Sequence, residues 1–166
     1  MYNYLTKESF IAMPALIYVL MWWLGGNTSG VVLGARSYFV LLSVVTINVL
    51  FILFTKLIII SCEDASQYTR IEDLYCWLEL PSFIVDISFE SSVFSLLMAI
   101  MILIVFFTVL IFSYSYMRAD PFIINFFSYL CVFVGSMLLL VGAGNFIVFF
   151  IGWEGVGLSS FLLINF

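Results

Sequence analysis

Five stretches of this 166-residue chain are apolar enough to cross a bilayer: about Phe10–Leu24, Tyr38–Ile60, Ser92–Phe112, Phe122–Val141 and Asn145–Phe166. A helix rises about 1.5 Å per residue, so roughly 20 apolar residues span a hydrocarbon core of about 30 Å. Once those spans are set aside, little chain remains from which to build a water-facing surface. Charged residues make up 9% of the sequence and hydrophobic residues 65%. A soluble domain carries about 25% charged residues. The expected fold is therefore an all-α membrane protein with about five transmembrane helices, forming one membrane domain over residues 1–166 with a short extramembrane loop or hairpin between helices 2 and 3.

Lys7 precedes the first apolar run, as in a signal peptide, and "GGNTSG" follows it. The remaining spans are equally apolar, so the run reads as a retained helix. The composition excludes several function classes. The net charge is −5 and the five Lys and Arg residues are scattered singly, so there is no basic footprint for nucleic acid. With no histidine in the chain, imidazole metal ligation and histidine proton switching are excluded. Cys62, Cys76 and Cys131 show no CxxC spacing. Cys131 reads as packing. Cys62 and Cys76 share a loop and read as free thiols, or as a pair in an oxidising compartment. No site for nicotinamide, flavin, iron–sulfur cluster or quinone is visible, so no cofactor is expected.

The connections differ in character. "GGNTSGVVLGAR" is a Gly-rich turn or short re-entrant piece, and "GAG" before Asn145 is a near-direct reversal. Asp120-Pro121 suits a helix start with proline in the first turn. Only Cys62 to Phe89 is a substantial polar segment, and its "PSFIVDISFE" alternates apolar and polar residues as a strand or hairpin does. Lys and Arg do not orient the chain: Arg36 and Arg118 fall on one side, Lys7 and Arg70 on the other.

Helices in lipid associate through close packing of small residues. In the fourth span Ser128, Cys131, Gly135 and Gly142 share a face, and in the fifth Gly152, Gly155 and Ser159 do. Glu154 falls on the other side of the fifth helix, near Gly157, Phe161 and Asn165. It lies about 13 Å beyond Asn145, near mid-bilayer. A charged carboxylate at that depth costs roughly 2.5–3.5 kcal/mol on insertion scales. It must be protonated, paired, or facing a hydrated cavity, and a neutral packing carboxyl is the plainer alternative to a functional acid. Lys56 near its helix end reads as snorkelling to the interface, and Asn48 as an interhelical hydrogen bond.

The closing "GWEGVGLSSFLLINF" and the upstream "SYSYMRADPFIINFFSYLCVFVGSMLLLVGAGN" resemble the antiporter-like chain 5 family of respiratory complex I, whose pattern Mrp-type sodium/proton antiporters share. The resemblance runs from about Phe89 to the end. Where the family opens its third span with Asp-x-Leu-Ser, this chain has Ser92, Val93, Phe94 and Ser95. The chain is also far shorter than family members and ends where their motif runs on, which gives the expectation of an amino-terminal fragment of a split subunit.

The resemblance implies a multi-pass protein of the mitochondrial inner membrane, a non-redox subunit of proton-translocating NADH:ubiquinone reductase. Its amino terminus and acidic loop would lie in the intermembrane space. The implied partners are other membrane-arm subunits, a separate chain carrying the remaining helices, and membrane lipids. Glu154 would contribute to the proton path, with its cationic partner supplied by the other chain. The alternatives are a structural scaffold subunit and a subunit of an Mrp-type antiporter.

Overall fold

A computed structural model describes residues 14, 17–21, 23, 34–62, 69–80, 83–117, 120 and 122–166. The protein is an all-α membrane protein with one hairpin. Its elements are α1 (Ala35–Cys62), β1 (Thr69–Leu80), β2 (Phe83–Ser92), α2 (Val93–Tyr116), α3 (Ile123–Val141) and α4 (Phe146–Ile164). Each of the four helices is long and apolar enough to cross a membrane. Of the expected first span, Phe10–Leu24, the described residues 14, 17–21 and 23 are helical; the rest lies outside the described residues.

The bundle is assembled on a 3.6-residue period. On α2, beside Ser95, the buried residues are Leu96, Ala99, Leu103, Phe106, Leu110 and Ser113, at steps of three and four. They meet Leu42 and Leu53 of α1 and Phe127 and Leu138 of α3 in one core. Aromatic contacts tie the helices together at fixed geometry. Tyr18 sets its ring edge against Phe106 at 5.5 Å, and Phe39 stacks on Tyr114 at 4.2 Å. The Tyr38 hydroxyl donates to the Met21 carbonyl at 2.8 Å, joining α1 to the amino-terminal helical residues.

Hydroxyl and amide side chains within the spans turn back onto their own helices, because lipid offers them no other partner. Ser128 Oγ donates to the Ile124 carbonyl at 2.8 Å and Ser159 Oγ to the Gly155 carbonyl at 2.7 Å. Asn48 behaves the same way, which corrects the interhelical bond expected for it. Its Nδ2 donates to the Val44 carbonyl at 2.8 Å, on the exposed side of α1.

The polar segment between α1 and α2 folds as an antiparallel hairpin, paired from Thr69↔Ser92 to Leu80↔Phe83. Register shifts fall between Asp73 and Tyr75 and between Cys76 and Leu78. Leu74 and Trp77 are thus extra residues on β1, the β-bulges that let a longer strand pair with a shorter one. The side chains of Cys62 and Cys76 lie outside the described residues; Cys131 is a buried free thiol.

The outer edge of β2 is occupied by the link between α3 and α4. Glu90 N donates to the Gly142 carbonyl and Gly144 N to the Ser88 carbonyl, each at 3.0 Å, and Phe89 bridges Ala143. A Cβ on Gly144 would sit 3.1 Å from the Ser88 and Phe89 backbone, so this close approach favours glycine. The contact sets the hairpin and the α3–α4 reversal on the same side of the membrane.

Two local expectations are resolved at helix starts. α3 begins at Ile123 with Phe122 at its N-cap and no side-chain cap hydrogen bond, just after the Asp120-Pro121 step expected to open it. At α2, Ser92 takes the N-cap and forms a reciprocal capping box: Ser95 N donates to Ser92 Oγ at 3.2 Å and Ser92 N to Ser95 Oγ at 2.8 Å. A serine thus does the capping that an aspartate at this position can do. Ser92→Ala is expected to lower stability by about 1 kcal/mol, the typical loss for an N-cap. Thermal unfolding in detergent measures it, and Ser92→Asp should retain most of the stability.

Candidate functional site: an acid on the open face of the last helix

α4 is attached along one side. Gly152 and Ser159 are buried and Gly155 is half-buried. A Cβ on Gly152 would lie 2.8 Å from Leu140 N and 2.9 Å from Leu140 Cα, and a Cβ on Gly155 would collide with Ser136 Oγ. These glycines let the backbones of α3 and α4 approach more closely than side chains permit, which is how helices gain dispersion contact in lipid. On α3, Ser128, Cys131, Gly135 and Gly142 are all buried. Ser128 and Cys131 come up to the Tyr38 hydroxyl of α1. The residues facing α4 are their neighbours Ser136 and Leu140.

Glu154 lies on the opposite side of α4. It is exposed, as are Gly157, Phe161 and Asn165. A Cβ on Gly157 would meet nothing within 4 Å. One turn from Glu154 lie Phe150, Ile151 and Leu158, 45%, 56% and 61% exposed, and two turns away lies Phe161, 66% exposed. Glu154 is eight residues beyond Phe146 in a 19-residue helix, about 12 Å from one end of a rod about 28 Å long. Glu154 thus stands near mid-helix, ringed by exposed apolar side chains, on a face that the described residues leave uncovered.

Within the structure no described cation pairs with Glu154. Arg36 is at the first turn of α1, and Lys56 is half-buried on the same helix. The side chains of Lys7, Arg70 and Arg118 lie outside the described residues. Among the described residues no cluster of three His, Cys, Asp or Glu side chains could hold a metal ion.

Long apolar helices packed through small residues define a multi-pass membrane protein, with an acid on the exposed face of its last helix. Comparison with known proteins makes the class specific. Residues 77–127 match the family described as NADH-ubiquinone oxidoreductase (complex I), chain 5 N-terminus. It is 53% identical over 74 residues to NADH-ubiquinone oxidoreductase chain 5 of Acanthamoeba castellanii, covering 43% of this chain and 11% of the relative. The same-named protein of Balaenoptera physalus is 41% identical over 100 residues, 60% of this chain and 16% of the relative. That of Sus scrofa is 44% identical over 89 residues, 54% of this chain and 15% of the relative. The chain thus matches about a sixth or less of the length of these relatives.

The close α3–α4 approach generates a direct expectation. Gly152→Val places branched atoms against the Leu140 backbone and should destabilise the pair by about 1–3 kcal/mol, the usual range for overpacking. Gly157→Ala, on the open face, should cost nothing by comparison. The two variants are compared by resistance of the purified protein to heat and to denaturing detergent.

Proposed function

We propose that this chain is part of a proton-translocating membrane-arm subunit of respiratory NADH:ubiquinone oxidoreductase, in the mitochondrial inner membrane, and that Glu154 belongs to its proton path. The match of residues 77–127 to the chain 5 family, and the similarity to the named relatives, support the assignment to that complex. The observation that carries the role of the acid is the placement of Glu154 at mid-helix on the uncovered face of α4, among exposed apolar side chains.

Exposure to lipid tails is not a stable end state for this group. An acid at the centre of a bilayer faces a protein interior or a water-filled cavity and pairs with a partner. Further polypeptide must therefore cover this face, and we assign it to a separate chain homologous to the remaining length of the relatives. That chain would also bring the cation. A nearby positive charge favours the ionised carboxylate, whereas burial without one favours the protonated acid. Approach and withdrawal of the cation would then move Glu154 between its charged and neutral forms. With a water path on each side, the alternation carries a proton.

The redox chemistry belongs to other subunits in this reading. A second reading, a bracing subunit in which Glu154 is a neutral packing carboxyl, is favoured by the tight Gly152 and Gly155 seams that make α4 a rigid structural element.

The test is Glu154→Gln, which keeps the shape and removes the titration. NADH-driven proton uptake into vesicles containing the purified complex should fall by roughly tenfold or more, the scale on which a proton-transfer group contributes, while the complex still assembles. Full proton uptake in that variant sinks the role of the acid and leaves the bracing reading. Mass spectrometry of the purified complex checks the partner: a second polypeptide homologous to the rest of chain 5 is expected.

A further inference from the structure

Tyr18 is fully buried, at 0% exposure, and among the described residues its hydroxyl is the buried side-chain polar atom that makes no hydrogen bond. The ring is held edge-on against Phe106 at 5.5 Å, a contact that needs no hydroxyl. A phenol O–H shut away from water without a partner is costly, and buried tyrosine hydroxyls are as a rule satisfied. Polar groups of two other helices gather beside it. Ser128 and Cys131 of α3 meet the Tyr38 hydroxyl of α1, and Cys131 lies within electrostatic reach of Tyr18 as well. We propose that this cluster binds one internal water molecule, which accepts from the Tyr18 hydroxyl and donates to the side chains of Tyr38, Ser128 or Cys131.

Donors and acceptors at the cluster select this ligand. Tyr38 commits its only hydroxyl proton to the Met21 carbonyl at 2.8 Å, and Ser128 commits its own to the Ile124 carbonyl at 2.8 Å. Both oxygens therefore offer the cluster lone pairs and no proton. Cys131 adds a weak S–H donor and a weak sulfur acceptor. Acceptors are thus in excess, and Tyr18 brings an unused proton. A water molecule has two donors and two acceptor sites. It can take the Tyr18 proton and give its own two to the surplus acceptors, reaching the three hydrogen bonds typical of buried water. No group of His, Cys, Asp or Glu among the described residues could hold a metal ion, so a neutral ligand fits where a cation does not.

Depth allows the water to arrive. Tyr38 is three residues beyond Ala35 in α1, and Ser128 and Cys131 are five and eight beyond Ile123 in α3. These steps are about 5, 8 and 12 Å along the helices, so the cluster lies one to two turns inside the membrane face at which α1 and α3 begin. The water would tie the amino-terminal helical residues to α1 and α3, beside the direct bond from Tyr38 to Met21. The site stands independently of the role of Glu154, which lies on the exposed face of α4.

The test is electron cryomicroscopy of the assembled complex, at a resolution that shows ordered water, with the wild-type chain and with Tyr18→Phe. In the wild type, one water density is expected about 3 Å from Tyr18 Oη and in hydrogen-bond contact with at least one of Tyr38 Oη, Ser128 Oγ and Cys131 Sγ. Tyr18→Phe keeps the ring against Phe106 and should lose that density while the Tyr38–Met21 bond stays. Four results would each overturn the site: no water at Tyr18 Oη, a direct bond from Tyr18 Oη to a protein group, a water there that touches none of the three partners, or water density unchanged in Tyr18→Phe. Should Tyr18→Phe fail to assemble, the wild-type map decides by itself.

Discussion

The absence of water from the bilayer interior is the constraint behind every part of this structure. Burying apolar side chains brings no hydrophobic gain when the surroundings are themselves hydrocarbon, so helix association depends on contact and on polar satisfaction. Hydroxyls such as Ser128 and Ser159 bond to carbonyls of their own helices. Large residues such as Phe51, Phe94 and Phe112 face outward at 68%, 67% and 70% exposure. In water such a surface would aggregate; in lipid it is the solvated side. The small residues are correspondingly on the inside, where Gly152 and Gly155 let α4 press against Leu140 and Ser136.

Against that background Glu154 is the exception, an acid on an exposed apolar face. Its helix is joined to α3 by one seam and to β2 by the reversal that follows Gly142. Those two attachments hold the rotation of α4, and rotation decides which way the acid points. A turn of the helix by one residue, about 100°, would swing Glu154 toward a flank of the seam. The glycine seam and the hairpin clamp thus fix which face of α4 carries Glu154.

The hairpin shows how a non-helical element contributes to a membrane bundle. β2 leads directly into α2 through the Ser92–Ser95 capping box, while its outer edge pairs with residues 142–144. One strand therefore joins the start of α2 to the α3–α4 reversal and covers a sheet edge that would otherwise be left open. The same contact makes the chain alternate sides in register: the ends of α1 and α3 at Cys62 and Val141 share a side, and the starts of α1 and α3 at Ala35 and Ile123 share the other.

How much of this could be read from residues alone follows from the range of the forces involved. Span positions depend on runs of apolar residues, which are local, so the four described helices lie within a few residues of the apolar stretches. The two faces of α4 follow from a 3.6-residue period and needed no partner to be seen. Asn48 was misread because composition cannot tell whether an amide reaches a neighbouring helix or its own carbonyl; only its placement on the outer side of α1 decides. The sequence by itself thus determined that the chain lives in a membrane, where its helices run, and that one acid lies deep within them, because those properties are set by neighbours along the chain. Only the tertiary structure decided which surfaces meet, that β2 clamps the α3–α4 link, and that the acid's face is left open, because those depend on contacts between residues far apart in the chain.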